Sequence, residues 1–368
     1  MEATLISRAT YLNSFFLSVI SFSAWAQNPC AQDVAKYCPG VAGPEVAKCL
    51  LTQDSKLSVE CKQEVQRRVQ LTKGGLSSFG GVMGSFGILP PTKKVLQYNG
   101  NFAGINQQKV SFATPVWSHD KESLSMSLNG SSIAFNEVKN FKDSTIRTPN
   151  ELQRVEVGAQ YSRRLKDKKA FGLRTSVGSA SDKILYGMNE MTFSVNATYS
   201  FPGENENHWI WTVFMSNNNP LANYVPIPGF IYLYKKENFT GMFGLPFLSM
   251  QWTPVKPVVL SMSYFITNLN TEAAYGFNDH MQLFTGFSIA QQTFLRKDRE
   301  QLQQRLFFNE KKVFVGFRTP LSKSLNGDIQ VGRAFDRRLQ EGRRFNNTKY
   351  KADFDSSYFV GVNVNFIY

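Results

Sequence analysis

The chain has 368 residues, 42% hydrophobic and 14% aromatic, which excludes intrinsic disorder and leaves room for two or three domains. Its formal charge of +13 admits nucleic acid, acidic lipid or anionic solutes as partners and does not choose among them. Beyond the leader no stretch approaches the roughly eighteen apolar residues of a membrane-spanning helix, but a barrel crosses with alternating strands and needs no such run.

In the leader, Arg8 precedes an apolar run through Phe15, Phe16, Leu17, Val19, Ile20 and Phe22, and Ala24-Trp25-Ala26 forms an A-x-A site before Gln27. This predicts a signal peptide over residues 1–26 and an exported mature chain. Cys30 follows Gln27-Asn28-Pro29, which is not a lipobox, so no lipid anchor is expected. Export removes nucleic acid from the partners and favours disulfides.

Cys30, Cys38, Cys49 and Cys61 are the only cysteines, spaced C-x7-C-x10-C-x11-C. They predict two disulfides with three possible connectivities, since structural zinc sites favour closer Cys pairs with nearby His. The local period is helical. Cys30 to Tyr37 reads as a helix stopped by Pro39-Gly40, Pro44 opens a second with Leu50 and Leu51 inward, and a third starts near Ser55 or Leu57. So short a module, residues 27–71, needs its disulfides to fold. The pattern C-x-x-D-V-x-x-Y-C-P, then K-C-L and L-S-x-x-C, resembles one cysteine-rich repeat of the Golgi glycoprotein family. The resemblance implies a disulfide-stapled α-helical module and no catalytic residues.

Residues 72–94, TKGGLSSFGGVMGSFGILPPTKK, read as a Gly/Pro-rich linker or, given Phe79, Val82, Met83, Phe86 and Ile88, as a partial plug. From residue 95 the period becomes two. Met191, Phe193, Val195, Ala197, Tyr199 and Phe201 alternate with Thr192, Ser194, Asn196, Thr198 and Ser200. Val155, Val157, Ala159 and Tyr161 oppose Glu156, Gly158, Gln160 and Ser162, and Leu260, Met262, Tyr264 and Val313, Val315, Phe317 continue the pattern.

Alternation fits a soluble sandwich as well as a membrane barrel. Strands near bilayer-crossing length, aromatics at strand ends (Trp117, Tyr199, Phe201, Trp209, Trp211, Trp252) and connections of two lengths favour the barrel. Long loops are expected at 137–149, 180–189, 292–308 and 336–356, with short turns at RRLKDKK and at TPLSKSLNG, whose Asn326-Gly327 is a hairpin signal. The expected fold class is mainly β: an antiparallel transmembrane β-barrel over residues 95–368 with an even strand number of about twelve to sixteen and both termini periplasmic.

The chain ends YFVGVNVNFIY, with Tyr358, Val360, Val362, Val364, Phe366 and Tyr368 on one side of a strand. Phe366 and Tyr368 resemble the C-terminal signal read by the barrel-assembly machinery of bacterial outer membranes, and the last strand is expected to close the barrel against the first. Gly244, Pro246 and Pro254 resemble a G-x-P-x6-P core of an uncharacterised family of outer-membrane barrels. That likeness implies a barrel and assigns no activity.

His119, His208 and His280 fall in or beside short turns, where turn chemistry explains them better than a nucleophile's base. No metal or phosphate motif is present, so neither cofactor nor catalytic residue is expected. Arg174 and Arg318 occupy polar strand faces and are candidate lumen cations that would favour anions. Arg337, Arg338, Arg343 and Arg344 are candidates for binding lipopolysaccharide phosphates if their loop is external. The expected function is a passive pore or transport barrel in the outer membrane of a double-membraned bacterium, contacting lipid and lipopolysaccharide. The alternatives are a barrel that anchors the cysteine module for a periplasmic partner and, more weakly, an outer-membrane hydrolase.

Overall fold

The computed structural model describes residues 30–39, 49–50, 52–58, 61–62, 93–101, 104–119, 121–204, 207–220, 223–277, 281–322 and 325–367. The leader, most of the 72–94 segment, His280 and Tyr368 lie outside them. The chain divides into two compact units, one up to Lys73 and one from Gly74 onward.

In the first unit, helix α1 (Ala31–Tyr37) carries Asp33 in its first turn and Lys36 in its last, each at the end where the helix dipole favours its charge. The disulfides are nested, Cys30–Cys61 outside Cys38–Cys49. Around them Leu50 and Leu57 are buried, with Val34 and Tyr37 packed alongside. The Asp33 carboxylate accepts bonds from the backbone N–H of Ser58 at 2.9 Å and from its hydroxyl at 2.6 Å.

The second unit is a single sheet of 17 strands. The first six are β1 (Lys93–Asn101), β2 (Ile105–His119), β3 (Glu122–Phe135), β4 (Glu151–Arg164), β5 (Ala170–Ser181) and β6 (Met191–Pro202). Shorter strands follow: β7 (His208–Ser216), β8 (Ile227–Lys235), β9 (Phe239–Leu245), β10 (Phe247–Val255), β11 (Val258–Phe265) and β12 (Asn268–Gly276). The last are β13 (Gln282–Phe294), β14 (Arg305–Ser322), β15 (Leu325–Arg344), β16 (Asn347–Phe354) and β17 (Ser357–Ile367).

Every ladder between β1 and β15 joins chain neighbours in antiparallel pairing. The upper part of β15 pairs β16 and its lower part pairs β17, so the last two act as one interrupted strand. β17 in turn pairs β1, from Lys93↔Ile367 to Asn101↔Phe359. Stepping from neighbour to neighbour therefore returns to the start, and fifteen strands plus the β16–β17 unit make sixteen positions. Phe366 sits in this seam, opposite Lys94 and Leu325.

Burial runs opposite to that of a soluble sheet. Val157, Val177, Trp211, Phe230, Val313, Val315, Ile329 and Val331 are exposed, whereas Ser125, Gln160, Ser176, Thr198, Thr212, Ser249 and Asp328 are buried. Exposed residues stand opposite one another across the ladder: Val157↔Val177, Trp211↔Phe230, Val315↔Val331. A sandwich would bury one such face against a second sheet; here the apolar face is the outer one.

Aromatic side chains gather at one rim, where Trp117, Tyr199, Trp211 and Trp252 are exposed and Trp209 stacks on Phe230 at 4.8 Å and meets Tyr232 at 4.4 Å. This is the end with the short connections, such as 165–169, 236–238 and 256–257, where β1 begins and β17 ends. Long connections, 136–150, 182–190, 217–226 and 295–304, occur only at the other end. The Gly244-Leu245-Pro246 segment forms the tight turn between β9 and β10; a Cβ at Gly244 would collide with the backbone of Phe230 and Ile231.

Four expected boundaries are corrected. Residues 336–356 are a hairpin rather than a loop, because β15 and β16 continue with Leu339 and Ala352 buried inside while Arg338 pairs with Asp353 outside. The 292–308 loop shrinks to 295–304, since β13 and β14 extend by mutual pairing. Asn326 and Gly327 lie within β15, opposite Pro320 and Thr319, so the hairpin bends earlier than the dipeptide suggested. The first strand opens at Lys93, not at residue 95.

If the exposed belt contacts acyl chains, Val315→Lys should reduce the stability of the folded chain in lipid vesicles by about 2–4 kcal/mol, read by denaturant titration. The buried-side change Ser288→Lys should cost far less. Equal effects would contradict the outward assignment.

Candidate functional site

Two cavities are available to a barrel: its interior and its loop-side mouth. The mouth is crossed. β5 and β13 stand eight positions apart on the sixteen-position circuit, yet their loop-side ends bond directly. The N–H of Leu295 donates to the carbonyl of Ala180 at 2.7 Å, and the N–H of Asp182 donates to the carbonyl of Leu295 at 3.3 Å.

This bridge halves the mouth. On the side running from β13 through β17 and β1 to β5, the interior is filled by Ile105, Ile133, Leu152, Phe294, Leu306 and Phe308 among others. Phe135 meets Phe308 edge-on at 5.7 Å across the gap. One layer deeper the contacts become polar. Gln107 donates to Glu310 at 2.9 Å, and the Lys312 ammonium reaches Glu310 at 2.8 Å and Gln107 at 3.1 Å. Arg154 donates to the carbonyl of Thr293 at 2.9 Å, tying β4 to β13.

The loops over the mouth are held by charge. Arg296 makes a two-pronged pair with Glu341 at 2.9 and 3.1 Å, with the carboxylate fully buried. Arg299 lies 3.3 Å from Glu190 and donates to the carbonyl of Asn189 at 2.6 Å. Arg305 donates to the carbonyl of Asn217 at 2.8 Å. Glu300, on the outer loop, accepts bonds from Lys349 at 2.8 Å and from the Tyr350 hydroxyl at 2.5 Å.

The expected lumen cations both face inward. Arg318 is largely neutralised by Glu272 at 3.1 Å, with Asp328 at 4.0 Å and the Phe284 ring at 4.5 Å. Arg174 makes no ion pair among the described residues, although Glu156 acts on it through space. The four loop arginines are not equivalent. Arg337 is buried and donates to the carbonyl of Asp355, so it is withdrawn as a surface phosphate ligand: its hairpin folds the guanidinium inward. Arg338 pairs with Asp336 and Asp353, Arg343 donates to Gln301, and Arg344 is exposed.

His119 ends β2 and His208 opens β7, both at the short-turn rim. Among the described residues no group of His, Cys, Asp or Glu could hold a metal ion. Sequence reasoning missed Lys109, Arg154, Glu310 and Lys312 as inward groups. Extending the alternation of β2 and β4 by one turn of the pleat would have found the first two.

No protein-family model matches the chain, and no curated protein matches it. Among solved structures it is similar to an outer-membrane channel from Pseudomonas putida F1, at 9% identity over 77% of this chain and 98% of that one, with a TM-score of 0.33. It is also similar to OmpT, an outer membrane protein of Vibrio cholerae, at 8% identity over 75% of this chain and 95% of that one, with a TM-score of 0.30. The ferric enterobactin receptor of Pseudomonas aeruginosa gives 7% identity over 73% of this chain and 59% of that one, with a TM-score of 0.30. Scores this low carry no argument, and the barrel reading rests on the circuit of ladders and the reversed burial.

The bonds from Lys349 and Tyr350 hold the Glu300 carboxyl below its ordinary value of 4.5. A depressed carboxylate adds stability above its unfolded value and loses it as pH falls through the folded one. The Glu300 tether should therefore persist at pH 4.5 and release only below it. A carboxyl-carbon NMR titration of Glu300 should show a midpoint under the usual glutamate range, moving up in Lys349→Met; an ordinary midpoint in the parent would contradict the tether.

Proposed function

We propose that the chain is an outer-membrane barrel of a double-membraned bacterium that passes small solutes passively, with both termini and the cysteine module on the periplasmic side. The observation that carries the membrane assignment is the exposed apolar belt backed by an inner face that buries Ser125, Gln160, Thr198, Thr212 and Asp328, an arrangement stable only where the outside is hydrocarbon. The orientation follows from loop length: short turns at the end that holds both strand termini, long loops at the other. The passage runs through the half of the interior between β5 and β13, where Ser194, Asn196, Gln251, Ser261 and Asn270 face inward beside a smaller buried apolar cluster of Ile210, Ile231, Met242 and Phe247. Arg344 and Arg338 on the outer hairpin meet lipopolysaccharide phosphates, and the barrel-assembly machinery reads the C-terminal sequence that contains Phe366 and Tyr368.

A second reading has its own support. The β5–β13 bridge and the apolar fill suit a barrel that conducts little and serves to anchor the cysteine module for a periplasmic partner. Neither reading assigns the chain a reaction. A hydrolase remains the weakest alternative, since His119 and His208 sit at the rim opposite the long loops.

Purified protein in planar bilayers should give discrete conductance steps that scale with salt. The same steps are expected from a variant lacking residues 27–71. A silent bilayer, with protein that still migrates faster unboiled than boiled on a detergent gel, would replace the pore by the anchor.

A further inference from the structure

The inward charges are unevenly balanced. On β12 to β15, Arg318 is met by Glu272 and Asp328, and Lys312 by Glu310. On β2 to β5, Arg154 and Arg174 share the carboxylate of Glu156, Lys109 stands on the same row as Arg154, and none of the three forms an ion pair among the described residues.

Lys109 and Arg154 lie on one row of the sheet, joined through Ser131 (Lys109↔Ser131↔Arg154). They stand two strands apart on the inner face, two cations with only the Ser131 position between them. The bonding of Arg154 is incomplete. One terminal nitrogen donates to the neutral carbonyl of Thr293 and the guanidinium lies 5.4 Å from the Phe294 ring, but its Nε is buried without an acceptor. Lys109 is exposed, although Gln107 on the same face of β2 reaches across the interior to Glu310, so the ammonium meets water inside the circuit. Above the pair, Leu152, Ile133 and Ile105 begin the apolar fill.

A half-buried guanidinium whose Nε is buried and idle, beside a second cation and without a bonded carboxylate, is short of negative charge. We propose that Lys109, Arg154 and Ser131 hold a small oxyanion of the phosphate type inside the barrel. Lys109 supplies a point charge, Arg154 a planar donor array and Ser131 a hydroxyl donor. The source is a free solute, because the site is on the inner face, away from lipid headgroups. The proposal rests on the inward assignment of these residues and not on conduction. If bilayers prove silent, the site would be a binding pocket reached from the short-turn end.

The test uses the full chain folded in a phospholipid-free detergent, with inorganic phosphate as probe and phosphorus NMR line broadening at constant ionic strength as readout. Saturable broadening is expected, weakened at least tenfold in Lys109→Gln, retained in Lys109→Arg and unchanged in Lys166→Gln, a turn residue far from the site. Boiled and unboiled gel migration checks that each variant is folded. Absence of saturable broadening in the parent chain would overturn the proposal, as would equal affinity in a folded Lys109→Gln.

Discussion

A backbone surrounded by hydrocarbon has no water to satisfy its N–H and C=O groups, and a sheet with free edges cannot meet that condition. The pairing of β17 with β1 removes the edges here, and the other features follow from it. Once the ladder forms a circuit, side chains have only two destinations and alternate between them. Valine, tryptophan and phenylalanine go outward on β4, β7 and β14, while serine, threonine and glutamine go inward. Folding in water alone would not produce this burial pattern, whereas a hydrocarbon surrounding would.

Inside the circuit a second constraint takes over. The loop-side half between β13 and β5 behaves as a soluble core, with phenylalanine, leucine and isoleucine packed together and a charged layer beneath. The backbone bridge from Ala180 to Leu295 draws opposite walls together, and the pairs Arg296–Glu341 and Arg299–Glu190 fasten the loops over them. Buried pairs of this kind contribute little net stability but make their geometry costly to leave. The molecule thus combines a barrel's exterior with a large apolar core in one half of the interior and a smaller one, around Ile210, Ile231, Met242 and Phe247, in the other.

Much of this was legible in the chain. A period of two needs only neighbouring residues to be seen, so strands such as 191–202 and 151–164 could be read directly, as could the exposed apolar side of each. The inward placement of Arg174 followed from the same parity. What stayed hidden depended on distance across the fold. Nothing near Arg318 announces that Glu272 and Asp328 will neutralise it, because their meeting depends on register through β13 and on β15. The β5–β13 bridge joins residues more than a hundred positions apart and leaves no local signature. The 336–356 hairpin differs from the expected loop because its dense charges sit on the outer face of strands that continue to pair. Asn326-Gly327 misled for the opposite reason: a strong local turn preference gave way to pairing with Thr319 and Pro320.

The most direct test is a nitroxide scan along β14 and β15 in lipid vesicles, with a single added cysteine at each of residues 313 to 317 and 328 to 332. Collision rates with oxygen, which concentrates among acyl chains, should be high at 313, 315, 317, 329 and 331 and low at the positions between. A flat profile, or high accessibility on the even-numbered residues, would contradict the account.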